Sequence, residues 1–339
     1  MVRFFRSIFL YATLMFTAGA TWADDRSTVL CPGQDMLADL QKTDPTTYAH
    51  IDAEAERISN GGAILWRIDG NGAPKPSWLF GTMHLTDPRI HALSDPVKDA
   101  FAAADILALE VAGISDINKA ALKLLQIRSQ IMLPRNQTLE ARLTPAEIEL
   151  LKAQSARLSM HGEVLIRMQP WFLWISLGMS ACEMDQLKGG KRALDARLEV
   201  DALKSGKRVD GLETFESQMQ AIASMPEAVQ LDALRVILKA APHMDSILET
   251  MKRLYLQRRI NTILPFSRYT TTLYGGSIKS HDAAFSILLD KRNIGMRDKA
   301  LPLIAQGGAF IAVGAGHLPG KNGLVALLRQ AGYTVTPVD

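Results

Sequence analysis

Two histidines close two similar stretches of this chain, Phe80-Gly81-Thr82-Met83-His84 and Val313-Gly314-Ala315-Gly316-His317. Each stretch is a hydrophobic run leading straight into G-x-x-H. Glycine permits a backbone turn that residues with a β-carbon resist, and loops after the carboxyl ends of strands line the ligand crevice of open α/β sheets. One such match would mean little in a chain with 7 histidines and 24 glycines. Two in the same strand-to-loop setting carry information. Glu110, near the end of the apolar run Ile106 to Val111, is a third candidate, because carboxylates are rarely left in apolar strands without a partner. Two neutral imidazoles and a carboxylate form a ligand set that zinc, manganese or similar divalent cations accept, with positions left for water and substrate. Such a cation makes a nucleophile of water near neutral pH. The residues alone leave another reading open: Glu110 pairs with a base such as Arg292, and each histidine hydrogen-bonds a neighbour.

The elements that must position these residues follow from the pattern. Ala63 to Ile68 and Ser77 to Gly81 read as two strands around the turn-rich Asp69-Gly70-Asn71-Gly72. Ser94 with Pro96 opens a helix towards Ala104, and Ile106 to Val111 reads as a buried strand. The centre is mostly helical. Thr144-Pro145-Ala146-Glu147 forms a capping box, Pro170 starts an apolar helix carrying Trp171 and Trp174 in the core, and Leu194 to Leu203 runs to Gly206 before a short strand at Lys207 to Gly211. Helices follow Pro226 and Pro242. Ser280 is expected to cap a helix with Arg292 and Asn293 late in it, where a cation is favourable. A strand from Ala309 to Gly314, a helix from Leu324 to Ala331 and a strand from Tyr333 to Val338 complete the chain. This order predicts an α/β (α+β) fold, a mixed sheet built from strand-bearing ends around a helical middle.

The chain of 339 residues is 47% hydrophobic and 22% charged, with 38 Lys and Arg against 35 Asp and Glu. That composition is globular, and the charge balance gives no ground for a nucleic-acid partner. Arg3 and Arg6 precede an apolar run from Ser7 to Ala18 that ends in small residues, the pattern of a secretory signal peptide. Cleavage is expected after Ala23, with Ala20 as the alternative; it leaves a net charge of +1 and no stretch for stable membrane insertion. We expect a signal peptide at 1–23, an N-terminal segment at 24–62 and one domain at 63–339, in a periplasmic or secreted protein. Cys31 and Cys182 are the only cysteines. Export allows a disulfide between them, and two unpaired thiols remain the alternative. The remaining histidines, His50, His91, His161, His243 and His281, read as surface or cap residues, with His91 near enough to His84 to support it.

At these residues the sequence resembles the TraB/GumN family, which includes the TIKI metalloproteases. The resemblance runs from about Ile64 to Val338. It rests on Trp78 to Leu85, Ala104 to Glu110, Gly206 to Gln218, Lys291 to Met296 and Ala312 to Gly320, in that order. It implies a fold like that of erythromycin esterases and ChaN-like proteins, and an active site of paired G-x-x-H motifs with an acid and an arginine between them. On these residues that means His84, His317 and Glu110 holding Mn, Co or Zn, with Arg292 and Asn293 beside the reacting bond, Glu213 as a further acid, and Gly81 and Gly314 as the motif glycines. Ala112 is a departure, since many members carry an acid there; its loss would weaken metal binding if that acid assists. The implied activity is hydrolysis of a peptide or related acyl bond. A binding protein that sequesters a peptide or small ligand in the same crevice, and a metal- or haem-handling protein, are the competing classes. Serine-hydrolase, thermolysin-like, nucleotide-binding and thioredoxin-like motifs are absent from the sequence.

Overall fold

The computed structural model describes residues 30–339; the expected signal peptide lies outside the described residues. Among the described residues six strands form one sheet, β1 (Leu65–Asp69), β2 (Ser77–Thr82), β3 (Ile106–Val111), β4 (Arg208–Glu213), β5 (Ala309–Gly314) and β6 (Thr334–Pro337), in the order β4-β3-β5-β2-β1-β6. β2, β3, β4 and β5 run parallel to their neighbours among themselves. β1 is antiparallel to β2 and β6. The sheet is therefore mixed, as expected. All six residues of β3 are buried, and β5 is buried up to Gly314, which is why both read as continuous apolar runs: parallel strands are covered on both faces.

Phe310, the second residue of β5, contacts Phe80 of β2 at 5.5 Å between ring centroids and takes Phe101 edge-on at 5.3 Å. Phe101 comes from the Asp95–Ala103 helix, so this cluster fastens that helix to the sheet. A second core, around Trp171, Leu173, Leu177, Leu234 and Leu238, belongs to the helical middle. The N-terminal segment has its own anchorage. Its helices, Met36–Thr43 and Pro45–Glu56, pack Leu37, Leu40 and Ile51 on Leu254 and Phe266. Cys31 is joined to Cys182, with Cα atoms 5.6 Å apart across a sequence separation of 151. Closing so long a loop is worth about 5 kcal/mol of unfolded-state entropy.

Several local expectations need correction. Ser94 precedes its helix, but its hydroxyl donates to Asp339 instead of capping. Ser277, not Ser280, caps the Ile278–Phe285 helix. That helix passes through a π-helical stretch, Ser286–Lys291, into the Arg292–Gln306 helix, so Arg292 and Asn293 lie mid-rod and the dipole argument for a late cation does not apply. His281 is buried, with Nε2 on Ser267 and Nδ1 on Asp282.

The loop after His84 is tied down by buried charge. Lys252, 1% exposed, donates to Asp87 at 3.0 Å and lies 3.2 Å from Glu249, while Arg89 bridges both carboxylates. Removing one member of such a cluster strands buried charge. Lys252→Met should therefore lower stability by about 3–5 kcal/mol in urea unfolding. Burial alone would raise the Asp87 and Glu249 carboxyls, but hydrogen bonds led by Arg89 hold both at about 2. Because these values lie below the ordinary ones near ~4, the stabilisation is present above about pH 4 and is lost as pH falls towards about 2.

Candidate active site

Strand order brings the candidate residues together. β2 and β5 are parallel neighbours with Thr82 opposite Gly314, so both G-x-x-H segments leave the same edge side by side. β3 flanks β5 on its other side with Leu109 opposite Ala312, which places Glu110 at that edge too. Glu110 Oε1 lies 3.7 Å from His84 Nε2 and 3.6 Å from His317 Nε2. The same oxygen accepts the Gly314 N–H at 2.7 Å.

The motif glycines serve close approach. Neither is among the glycines with positive φ, contrary to the turn expected of them. A β-carbon on Gly314 would stand 3.1 Å from Glu110 Oε1 and 3.4 Å from His84 Nε2, and one on Gly81 would press on Ala315 and Leu318 at 3.1 Å. Gly314 leaves room for the three side chains, and Gly81 lets the two motifs pack.

The other nitrogen of each imidazole is engaged. His84 Nδ1 is 2.6 Å from Asp195 Oδ2, and Asp195 Oδ1 accepts the Thr82 hydroxyl at 2.6 Å. His317 Nδ1 is 2.7 Å from Asn293 Oδ1, while the Asn293 amide donates to the Asn322 carbonyl at 2.8 Å. With its amide nitrogen committed as donor, Asn293 offers oxygen to the ring, so His317 carries its proton on Nδ1 and turns the Nε2 lone pair towards Glu110. Metal-binding histidines are commonly held in this way.

Burial pushes His317 down to about 4, keeping it neutral. The Asp195 charge raises His84 to about 9 against burial; its ring is 57% exposed, so solvent tempers that rise. Burial opposes ionisation of Glu110, but the neighbouring imidazoles, Arg292 and the Gly314 N–H outweigh it and hold the carboxyl at about 2.

Arg292 reaches Glu110 Oε2 through Nη2 at 2.6 Å and clasps Glu213 through Nε and Nη2. Its Nη1 donates to the Leu288 carbonyl at 3.0 Å, inside the π-helical stretch. That stretch changes the hydrogen-bond register just before Arg292, a frequent feature of functional helices. Glu213, the last residue of β4, stands opposite Val111, beside Glu110. Gln218 adds a hydrogen bond to Glu110 Oε2 at 3.2 Å.

His84, Glu110, Glu213, Arg292, Asn293 and His317 thus form one cluster, while the Cys31–Cys182 pair anchors the N-terminal segment. Both readings left open by the sequence meet here. Glu110 gives one oxygen to Arg292 and Gln218 and turns the other to the histidines. Asp195 and Gln218 were not anticipated. Asp195 had a signal, since it and Glu199 lie on the face of the Leu194–Lys204 helix that buries Leu194, Leu198 and Ala202.

Among the described residues, no group of three or more His, Cys, Asp or Glu side chains is gathered as a ready metal cage. The donor types nevertheless fit a divalent cation. Two ligands on a tetrahedral cation at about 2.1 Å stand about 3.4 Å apart, close to the separations of both Nε2 atoms from Glu110 Oε1.

The model of the TraB/PrgY/gumN family matches residues 64–337. The chain belongs to this family. Curated relatives include the metalloprotease TIKI2 of Danio rerio, 23% identical over 325 residues, a metalloprotease TIKI homolog of Amphimedon queenslandica, 24% over 318, and the metalloprotease TIKI1 of Homo sapiens, 25% over 329. Each comparison covers 80% of this chain and 60 or 61% of the relative; the chain spans about three fifths of the length of these relatives. No solved structure matches, so the expected likeness to erythromycin esterases and ChaN-like proteins has no such support. Among the described residues, no helix is long and apolar enough to cross a membrane.

Proposed function

We propose that this chain is an exported, metal-dependent hydrolase of peptide or related acyl bonds. The observation that carries this reading is the convergence of His84 Nε2 and His317 Nε2 on one oxygen of Glu110, with each Nδ1 tied back to a fixed acceptor. His84, His317 and Glu110 would hold the cation, of which Mn, Co and Zn suit the donor set. When bound, a divalent cation supplies Lewis acidity and lowers the pKa of a water molecule. Arg292 keeps Glu110 ionised and oriented. Four of its five N–H donors are directed to Glu110, Glu213 and the Leu288 carbonyl, which leaves one on Nη1 for a substrate carbonyl or developing oxyanion. Asn293 acts through His317, since its amide is committed to His317 and Asn322. Export is supported by the apolar leader in the sequence and by the Cys31–Cys182 pair, which suits an oxidising compartment.

The test is incubation of metal-stripped protein with a peptide mixture, with and without Mn, Co or Zn, read by mass spectrometry. Cleavage that returns with a metal and disappears in Glu110→Gln is the expected result. Peptides retained uncut with every metal would contradict hydrolysis and favour ligand capture.

A further inference from the structure

We infer that Asp195 is the positioning residue for His84, fixing the ring so that Nε2 faces Glu110; the inference rests on the metal-site reading above. Asp195 lies in the first turn of the Leu194–Lys204 helix and is 4% exposed. One oxygen meets His84 Nδ1 and the other the Thr82 hydroxyl, both at 2.6 Å. Thr82 and His84 are both in the same Gly81-Thr82-Met83-His84 motif, so a single carboxylate clamps the motif at two points. With both oxygens committed, Asp195 is placed to act through His84 and not as a ligand itself.

Charge gives a second argument. Asp87, three residues beyond His84, is also buried but is matched by Arg89 and Lys252. Among the described residues, the ion pair of Asp195 is with His84 alone. Burying a carboxylate without a lysine or arginine is costly, and the helix N-terminus offsets only part of that cost. Asp195 is thus tied by hydrogen bonds to the ring and the threonine of one motif, not to a lysine or arginine. The contrast with His317 points the same way. That ring is enclosed by protein, and a neutral Asn293 suffices to orient it. His84 is 57% exposed, so packing cannot hold it and a charged acceptor does.

The experiment titrates metal-stripped wild type, Asp195→Asn, Thr82→Val, His84→Ala and the His84→Ala/Asp195→Asn double variant with Mn, Co and Zn by calorimetry. Asp195→Asn should weaken binding about 10–100-fold. The double variant should bind no worse than His84→Ala, because Asp195 works only through that ring. Thr82→Val, which keeps the charge but removes one point of the clamp, should weaken binding about 3–10-fold. Wild-type affinity in Asp195→Asn, or a further loss in the double variant, would overturn the inference while leaving the metal site standing. Should Asp195→Asn not fold, unchanged affinity in Thr82→Val overturns it. A readout without metal separates the two claims: proton NMR of the metal-free wild type should show a downfield His84 Nδ1 proton that shifts upfield in Asp195→Asn. Its absence from the wild type overturns the inference whatever the protein binds; its presence in a wild type that binds no metal supports the Asp195–His84 bond and defeats the metal reading.

Discussion

His317→Ala is expected to weaken one-site binding of a divalent cation by about 100-fold in affinity by calorimetry, leaving measurable residual binding from the other two ligands. The substitution removes the more buried of the two imidazoles, the one kept neutral with its lone pair towards Glu110. It leaves Asn293 Oδ1 without its partner, which costs about 1–3 kcal/mol. That is too little to unfold a domain anchored by the Phe80–Phe310–Phe101 cluster and a disulfide, so circular dichroism should stay native-like. His84→Ala should cause a comparable loss of binding. His50→Ala is the control, because that ring is 76% exposed and pairs with Glu54; its affinity should equal that of the wild type. Equal binding by all three variants would remove both motif histidines from the site.

Arg292→Met should be the most destabilising single change at the site, by about 3–5 kcal/mol in chemical denaturation. The guanidinium is the cation matched to both Glu110 and Glu213, and all three side chains are mostly buried. Deleting it leaves two adjacent carboxylates facing each other. Adding Glu213→Gln to Arg292→Met should recover part of the loss by removing one stranded charge. Arg292→Lys should recover less than size suggests, since an ammonium cannot reproduce the fork that clasps Glu213 while reaching Glu110. A stability loss in Arg292→Met below about 1 kcal/mol would mean that solvent, not the guanidinium, compensates these carboxylates.

Much of this architecture was legible because the relevant signals are local. The β3 and β5 runs are apolar at every buried position except Glu110, and Thr144 with Glu147 spells its own cap, formed as read. The two G-x-x-H segments pointed to the right edge of the sheet because a histidine just past a strand must emerge there. What sequence could not supply was adjacency. That β2 and β5, more than 200 residues apart, lie side by side depends on long-range pairing that no local pattern records. Asp195 was missed for the same reason, since its partner is 111 residues away. The cap at Ser280 failed because serine at 277 and serine at 280 offer the same local chemistry, and only the chain path chooses between them. The π-helical stretch before Arg292 had no sequence mark; it changes register to bring one guanidinium to two carboxylates from different strands.

The central claim is that His84, His317 and Glu110 jointly hold one divalent cation. The most direct measurement is anomalous X-ray diffraction, at the metal absorption edge, from crystals of the chain grown with Mn, Co or Zn. The account predicts a single strong anomalous peak about 2.0–2.2 Å from both Nε2 atoms and a Glu110 oxygen. A peak elsewhere, or none at this edge of the sheet under saturating metal, would contradict it.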